Sequence, residues 1–458
     1  MRKTFVLFVL LALFIVSLTS AQDDSLAGVD PTGVTISYWH EWAGTQETGM
    51  DQIIEAFNSS NPYGITVEQT KFGAGSGVSD NVSAGITSGE LPNITGDAFV
   101  SRAQGWYLDG VLVPLDAYLT HPEWGLSEEE MANINMDVLA INRPALPPFD
   151  GQLLAWPVGV SSNVKSVNVD MLNTLREQGV IDFEGVPTTF EDFRTAACAY
   201  DQLTSPDGSA LNGGWAIRGS ADELSGFVYS AGGTIFDEEN DRYDFTNEGA
   251  ITAMNYLQEL YNDGCAYYAE GGTFANTGEF SLGLNMFAMG SSVGVPFIQG
   301  DMNNAGFDIN WINTTGPWTE GNRTLATFLR GVAILQGTPE ENLAAWLFIK
   351  YWATDPEAQR IWTESAQYQP FNSAIPALLS EEFLSGNPQF TSFAEALADP
   401  DINIWSSPSH PRSGEISEIL AELFSNITIG GMDVETAAAE AEERANEVYQ
   451  EVLEDLEG

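Results

Sequence analysis

Apolar and polar positions first alternate at Val34, Ile36 and Tyr38, with Thr35 and Ser37 between them, and this period of two predicts a half-buried strand. The period then changes. Met50, Ile53, Ile54 and Phe57 recur at helical spacing, Asn61, Pro62 and Gly64 break the chain, and Ile65 and Val67 resume the strand pattern. A strand, helix and strand in this order favour a parallel sheet with helices on its faces, and such sheets gather ligands at the carboxyl ends of their strands. The tetrad Trp39, His40, Glu41 and Trp42 lies at that end of the first strand.

The remaining chain alternates helical and strand-like segments, with no internal repeat and no low-complexity tract. Helices are expected over Phe190 to Leu203, Asn247 to Asn262 and Glu340 to Tyr351. Ala441, Ala445, Val448, Val452 and Leu456 form a narrow apolar stripe, which predicts an amphipathic C-terminal helix docked on a domain with its glutamates facing water. The acidic run Asp237, Glu238, Glu239, Asn240 and Asp241 lacks the glycine and the distal glutamate of a calcium loop, so a solvated hairpin turn is expected there. At 458 residues the chain is long enough for two or three domains.

Charge narrows the function. There are 65 Asp plus Glu against 16 Lys plus Arg, a formal net charge of −49, which excludes an electrostatically driven partnership with nucleic acid. Only 18% of residues are charged and 43% are apolar, so the imbalance reflects missing bases in a chain that folds. The carboxylates are spread through helices, a distribution that suits a saline or otherwise demanding exterior.

Arg2 and Lys3, the apolar run from Phe5 to Leu18, and the small residues Thr19, Ser20 and Ala21 have the layout of a secretory signal peptide over 1–21, cleaved near Ala21. The run is too short to span a bilayer, which takes roughly 20 residues. With no cysteine near the cleavage site there is no lipid-anchoring signal, and a secreted or periplasmic location is expected. Cys198 and Cys265 are the only cysteines. In an exported protein they read as one disulfide, the alternative being two buried thiols.

Catalytic and cofactor signals are absent. His40, His121 and His410 are far apart and outside metal-ligand spacing. There is no dinucleotide fingerprint, Walker loop or nucleophile elbow, and the loosely spaced Gly73, Gly75 and Gly77 read as a helix lead-in. No metal or cofactor is expected. Six N-x-S/T matches, at Asn58, Asn81, Asn93, Asn313, Asn322 and Asn426, read as chance surface matches if the source is bacterial.

Six segments, taken in order, carry a resemblance: VTISYWHEW with NPYGITVE; VSAGITSGELPNITGDAFVSRAQGWYLDGVLVPLDAYL; GQLLAWPVGVSSNVKSVNVDML; VPTTFEDFRTAA; AGGTIFDEENDRYDFTNEGAITAMNYLQELYNDG; and EENLAAWLFIKYWATDPEAQRIWTESAQYQPFNSAI. This order resembles the extracellular solute-binding proteins of ATP-driven importers, in the maltodextrin and glycerol-phosphate branch often called family 1. Asn93 stands where the family has the aspartate of its PD pair, and Asp97 follows four residues later.

The resemblance implies the two-lobed type II periplasmic-binding-protein fold, an α/β architecture with a three-crossing hinge. By position, residues 30–157 and 317–353 make the N-terminal lobe, and 158–316 and 354–458 make the C-terminal lobe. It also implies a non-enzymatic protein that captures a mono- or oligosaccharide between the lobes and delivers it to the subunits of an ABC permease, acting as a monomer. Glycerol 3-phosphate or a related sugar phosphate is the alternative cargo. A secreted carbohydrate-active enzyme and a sensor or adhesin subunit are the other readings.

The segments that contact ligand in the family point here to Trp39, Glu41 and Trp42, to Asp97 and Arg102, to Asp222, Ser291 and Ser292, and to Trp318, Arg330, Tyr368, Trp405 and Arg412. Sugars suit such a set, because flat apolar sugar faces stack on aromatic rings while planar polar groups take the hydroxyls. Each residue also has an ordinary alternative: a tryptophan can be core, and an arginine can pair with surplus carboxylates. Both cysteines fall in the second lobe, so a bridge leaves the hinge free.

Overall fold

The computed structural model describes residues 26–73 and 77–457; the expected signal peptide and Gly75 lie outside these residues. The opening pattern folds as its periods predict, with a strand at Thr35–His40, a helix at Thr45–Ser60 and a strand at Thr66–Lys71. The two strands pair in parallel, with Ile36 opposite Val67. Met50, Ile53, Ile54 and Phe57 form the buried face of the helix.

Two sheets organise the molecule. The first runs in the order Thr66–Lys71, Thr35–His40, Ile94–Thr95, Gly331–Leu335, Leu112–Val113, with Trp156–Pro157 also pairing to Gly331–Leu335. The second runs Ala266–Tyr268, Trp215–Ile217, Phe287–Ser291, Ser161–Asn168, Thr324–Phe328, Asn403–Trp405, with Trp311–Thr314 also pairing to Ser161–Asn168. Each sheet lies among helices and has its own apolar core.

The chain passes from the first sheet to the second between Pro157 and Ser161 and returns between Phe328 and Gly331. This return falls later than the boundary placed by resemblance near residue 317, because Trp311–Thr314 and Thr324–Phe328 both pair in the second sheet and only Gly331–Leu335 joins the first. Gly331 is required at the break: a Cβ there would lie 2.8 Å from the Ala98 carbonyl oxygen. The last passage also comes later than 353–355. The helix Pro356–Ala366 packs on Thr45–Ser60 and sends Trp362 into the first core, whereas Phe393 of the helix Pro388–Ala398 packs with Val164 and Leu325 of the second. At the hinge, the Val158 N–H donates to the Arg330 carbonyl at 3.0 Å, and Val160 and Gln369 exchange backbone bonds.

The second lobe carries the disulfide between Cys198 and Cys265, which spans 67 residues. Cys198 ends the helix Phe190–Cys198, which is shorter than expected, and a tight turn at Tyr200–Gln202 follows. The backbone at Gly214 presses so closely on the Ala197 carbonyl that no side chain fits between them. The helices Glu248–Asn262, Pro339–Thr354 and Val434–Glu457 occupy the expected stretches, and the acidic run 237–241 joins the antiparallel pair Phe236–Asp237 and Arg242–Tyr243. Asn313 is buried within the second sheet, so that glycosylation match is not at the surface.

Candidate ligand cleft

Glu41 follows the carboxyl end of the strand Thr35–His40, and Asp97 follows the short strand Ile94–Thr95 beside it. Arg330 sits at the break between the two strands of different sheets. Three turns of chain far apart in sequence therefore meet where the lobes join. Arg330 donates to Glu41 through Nη2, and to Asp97 Oδ1 from Nη2 at 2.8 Å and Nε at 3.3 Å. Arg102, in the helix Val100–Leu108, donates to the other oxygen of Asp97. The result is one row, Glu41, Arg330, Asp97 and Arg102, in which carboxylates and guanidinium groups alternate.

Aromatic rings hold the row in place. The Arg330 guanidinium lies 5.1 Å from the Trp42 ring centre and 5.6 Å from that of Phe99, and Arg102 lies 5.5 Å from Phe99 on its other contact. Cation–π attraction favours these placements and restricts both side chains. Tyr368 is buried nearby, and Arg330 opposes the rise that burial gives its hydroxyl. Burial pushes the Asp97 carboxyl up to about 6, with Arg102 opposing the shift. Its side chain is only 4% exposed.

The strand end is braced from behind. His40 is fully buried; its Nδ1 accepts the Trp42 backbone N–H at 3.2 Å, which leaves Nε2 to donate to Gln69 Oε1 at 2.7 Å. Burial lowers its basicity, consistent with that neutral form. Gly96 permits the close approach of the Asp97 turn, since a Cβ there would stand 2.9 Å from the Tyr38 hydroxyl and 3.0 Å from His40 Cβ.

Of the residues expected at the ligand, Glu41, Asp97, Arg102 and Arg330 come together and the others have different surroundings. Trp42 is wholly buried, donates from its indole nitrogen to the Tyr38 hydroxyl at 2.7 Å and packs edge-on against Trp362, so its faces are not open to a sugar. Tyr368 is buried too, stacked on Trp362. Both support Arg330. Trp39 is half-buried against Phe72. Trp318 is held on the second lobe, its indole donating to the Thr324 carbonyl at 3.3 Å, with Arg323 over its ring. Arg412 is tied to Glu415 and Glu451, away from the row.

In the second lobe, Asp222 lies in the first turn of the helix Ala221–Ser230, and burial raises its carboxyl while Arg218 opposes the shift. The Asn163 amide nitrogen and the Trp405 indole nitrogen are buried donors without a protein partner. Trp405 stacks on Tyr229 with ring centres 4.0 Å apart. Ser291 and Ser292 shape a turn: Ser291 Oγ accepts the Val293 N–H at 3.4 Å, and Ser292 Oγ accepts the Ser162 N–H at 3.1 Å.

Phe99, Gly96, Asn163 and the buried pair Lys165 and Glu223 escaped sequence reasoning. Phe99 had a signal, since it stands two residues after Asp97 at the start of a helix that carries Arg102. Lys165 points into the lobe with Nζ 4.5 Å from the Phe227 ring centre, and burial lowers it to about 8. Glu223 accepts the backbone N–H groups of Arg218 and Gly219, both at 2.9 Å, and burial raises it to about 7. Nothing in their spacing marks either residue as buried.

A family model described as bacterial extracellular solute-binding protein matches residues 52–392. The chain belongs to that family. The fold of this solute-binding protein agrees: the two-lobed α/β architecture matches solved structures over nearly their whole length. The cyclic alpha-maltosyl-1,6-maltose binding protein from Arthrobacter globiformis aligns with a TM-score of 0.70 at 18% identity, covering 92% of this chain and 99% of that one. An ABC substrate-binding protein from Listeria monocytogenes, in complex with cycloalternan, gives 0.74 at 16% identity, with 91% and 99% covered. The maltotriose binding protein of Thermus thermophilus gives 0.67 at 14% identity, with 90% and 100% covered. No curated protein matches the chain in sequence.

Proposed function

We propose that this solute-binding protein captures a neutral carbohydrate between its lobes and delivers it to an ABC permease, without altering it chemically. The observation that carries this reading is the alternation of charge along Glu41, Arg330, Asp97 and Arg102. Fully ionised, the row has no net charge. Its guanidinium groups are already held by carboxylates, so the row offers fixed, oriented hydrogen-bonding groups for hydroxyls and no free cation for a phosphate.

An anionic cargo would have to displace Asp97 or Glu41 from Arg330 within a protein of net charge −49. The third arginine that suggested an anion pocket, Arg412, is engaged by Glu415 and Glu451 elsewhere. The carbohydrate complexes among structures of the same fold support the same cargo class. Binding on both lobes would favour the closed arrangement through a population shift.

Calorimetric titration with neutral mono- and oligosaccharides, and in parallel with glycerol 3-phosphate and glucose 6-phosphate, tests the reading. Heat with a neutral saccharide, and the same saccharide recovered unchanged after prolonged incubation, is expected. Binding only to a phosphorylated ligand would overturn it.

A further inference from the structure

We propose that Val293 and Phe297 form an end wall of the cleft and restrict the cargo to a short saccharide; the proposal rests on the carbohydrate reading above. Val293 lies in the tight turn Ser292–Gly294, directly after a central strand of the second sheet. Its side chain nevertheless joins the apolar core of the first lobe, the cluster that contains Trp42 and Tyr368, and is 9% exposed. Phe297, in the helix Val295–Ala305, crosses to the same place: its Cε1 is 3.7 Å from where a Cβ on Gly44 would stand. Gly44 has a φ of +60°, a conformation that suits glycine and leaves its surface bare for the ring.

Two serine hydroxyls pin this wall to its own lobe. Ser291 accepts from the backbone of Val293, and Ser292 ties the turn to the strand Ser161–Asn168. The wall meets the first lobe at Trp42 to Gly44, immediately after Glu41, where the row of charged side chains begins. On the helix that carries Arg102, Gln104 donates from Nε2 to the Ser409 carbonyl at 3.3 Å and to its hydroxyl at 3.2 Å, a second contact between the lobes. Second-lobe groups therefore meet the first lobe both just after Glu41 and on the helix that carries Arg102.

The contact just after Glu41 differs chemically from the contact at Gln104. Val293 and the Phe297 ring offer no hydrogen-bond partner, so a sugar unit extending past Glu41 would lose water from its hydroxyls without replacement, and an unpaired buried polar group is costly. Phe297 stays 40% exposed and covers the edge of the cleft rather than filling a core. The expected discrimination is by length, with short saccharides accepted and longer linear ones rejected.

Titrating the protein and its Val293→Ala/Phe297→Ala variant with linear glucose and xylose oligomers of one to four units decides the matter. In the unsubstituted protein, affinity should fall by roughly tenfold or more once the chain exceeds the permitted length, and the variant should recover most of that loss. Equal affinity for short and long oligomers, or a length profile unchanged by the double substitution, would overturn the wall. If no saccharide of any length binds either protein, the carbohydrate reading fails separately, and small-angle scattering then reads the wall without ligand. A larger radius of gyration in the variant would retain it as an inter-lobe contact, whereas superimposable curves would reject it.

Discussion

At the scale of single residues, Asp97 links the two arginines, and its protonation has opposite consequences for stability and for binding. Its folded value, about 6, lies above the ordinary carboxylate range, so between pH 4 and 6 the folded state holds this proton more firmly than the unfolded state. The contribution of Asp97 to stability therefore rises as pH falls through 6. Ligand affinity should fall over the same interval, because protonation releases Arg102 and Arg330; titrations from pH 7.5 to 5 should show this loss, and Asp97→Asn should remove the step. Arg330→Ala leaves Glu41 and Asp97 facing each other without their cation. It should cost about 3 to 5 kcal/mol by denaturant unfolding, the range for breaking a buried pair, and abolish ligand heat. Glu41, Asp97, Arg102 and Arg330 were named from the segments that resemble the family's ligand-contacting ones, and the fold brings these four together. Trp42 and Tyr368 were expected at the ligand but are buried, because spacing cannot say whether an aromatic ring faces a core or a cleft.

At the scale of elements, the legible features were those with a clear period. The opening strand, helix and strand, and the C-terminal stripe with Ala441, Ala445 and Val452 buried, needed only the alternation of apolar and polar positions. The stretch TLATFLRGVAIL carried no such mark for its division, since two short strands in different sheets have the same local pattern as one long strand. Arg330 reaches both Glu41 and Asp97 because it falls at that division. The disulfide within the second lobe should stabilise that lobe by about 4 kcal/mol in the chain-entropy model, given its 67-residue separation. Reduction should therefore lower the melting transition of the second lobe while the hinge strands remain free to move. A melting curve unchanged by reductant, with both thiols alkylated, would refute this.

For the whole molecule, the dominant quantity is the net charge of −49. Among the described residues, several arginines and lysines each meet one or two carboxylates, yet 65 Asp plus Glu against 16 Lys plus Arg leave most carboxylates in excess of the available cations. Sodium chloride screens this repulsion over about 10 Å at 0.1 M, so the melting temperature should rise with salt. The row in the cleft is internally neutral and, apart from Arg102, largely shielded from water, so ligand affinity should vary much less than stability over the same salt series. Parallel melting and calorimetry in sodium chloride would separate the two effects; a melting temperature insensitive to salt would remove the argument for adaptation to a saline exterior.

The sequence by itself determined the α/β alternation, the acidic surface, the cysteine pair and the order of segments that resembles the solute-binding family. These properties depend on residue type and on spacing along the chain, which local periodicity and composition express directly. Tertiary structure alone decided which lobe each half of the run around Arg330 joins, which carboxylates hold each arginine, and which aromatic rings back the site rather than line it. Those outcomes depend on distances between groups hundreds of residues apart, such as the 289 positions separating Glu41 from Arg330. Apolar patterning specifies that a face is buried; only the packed fold specifies what it is buried against.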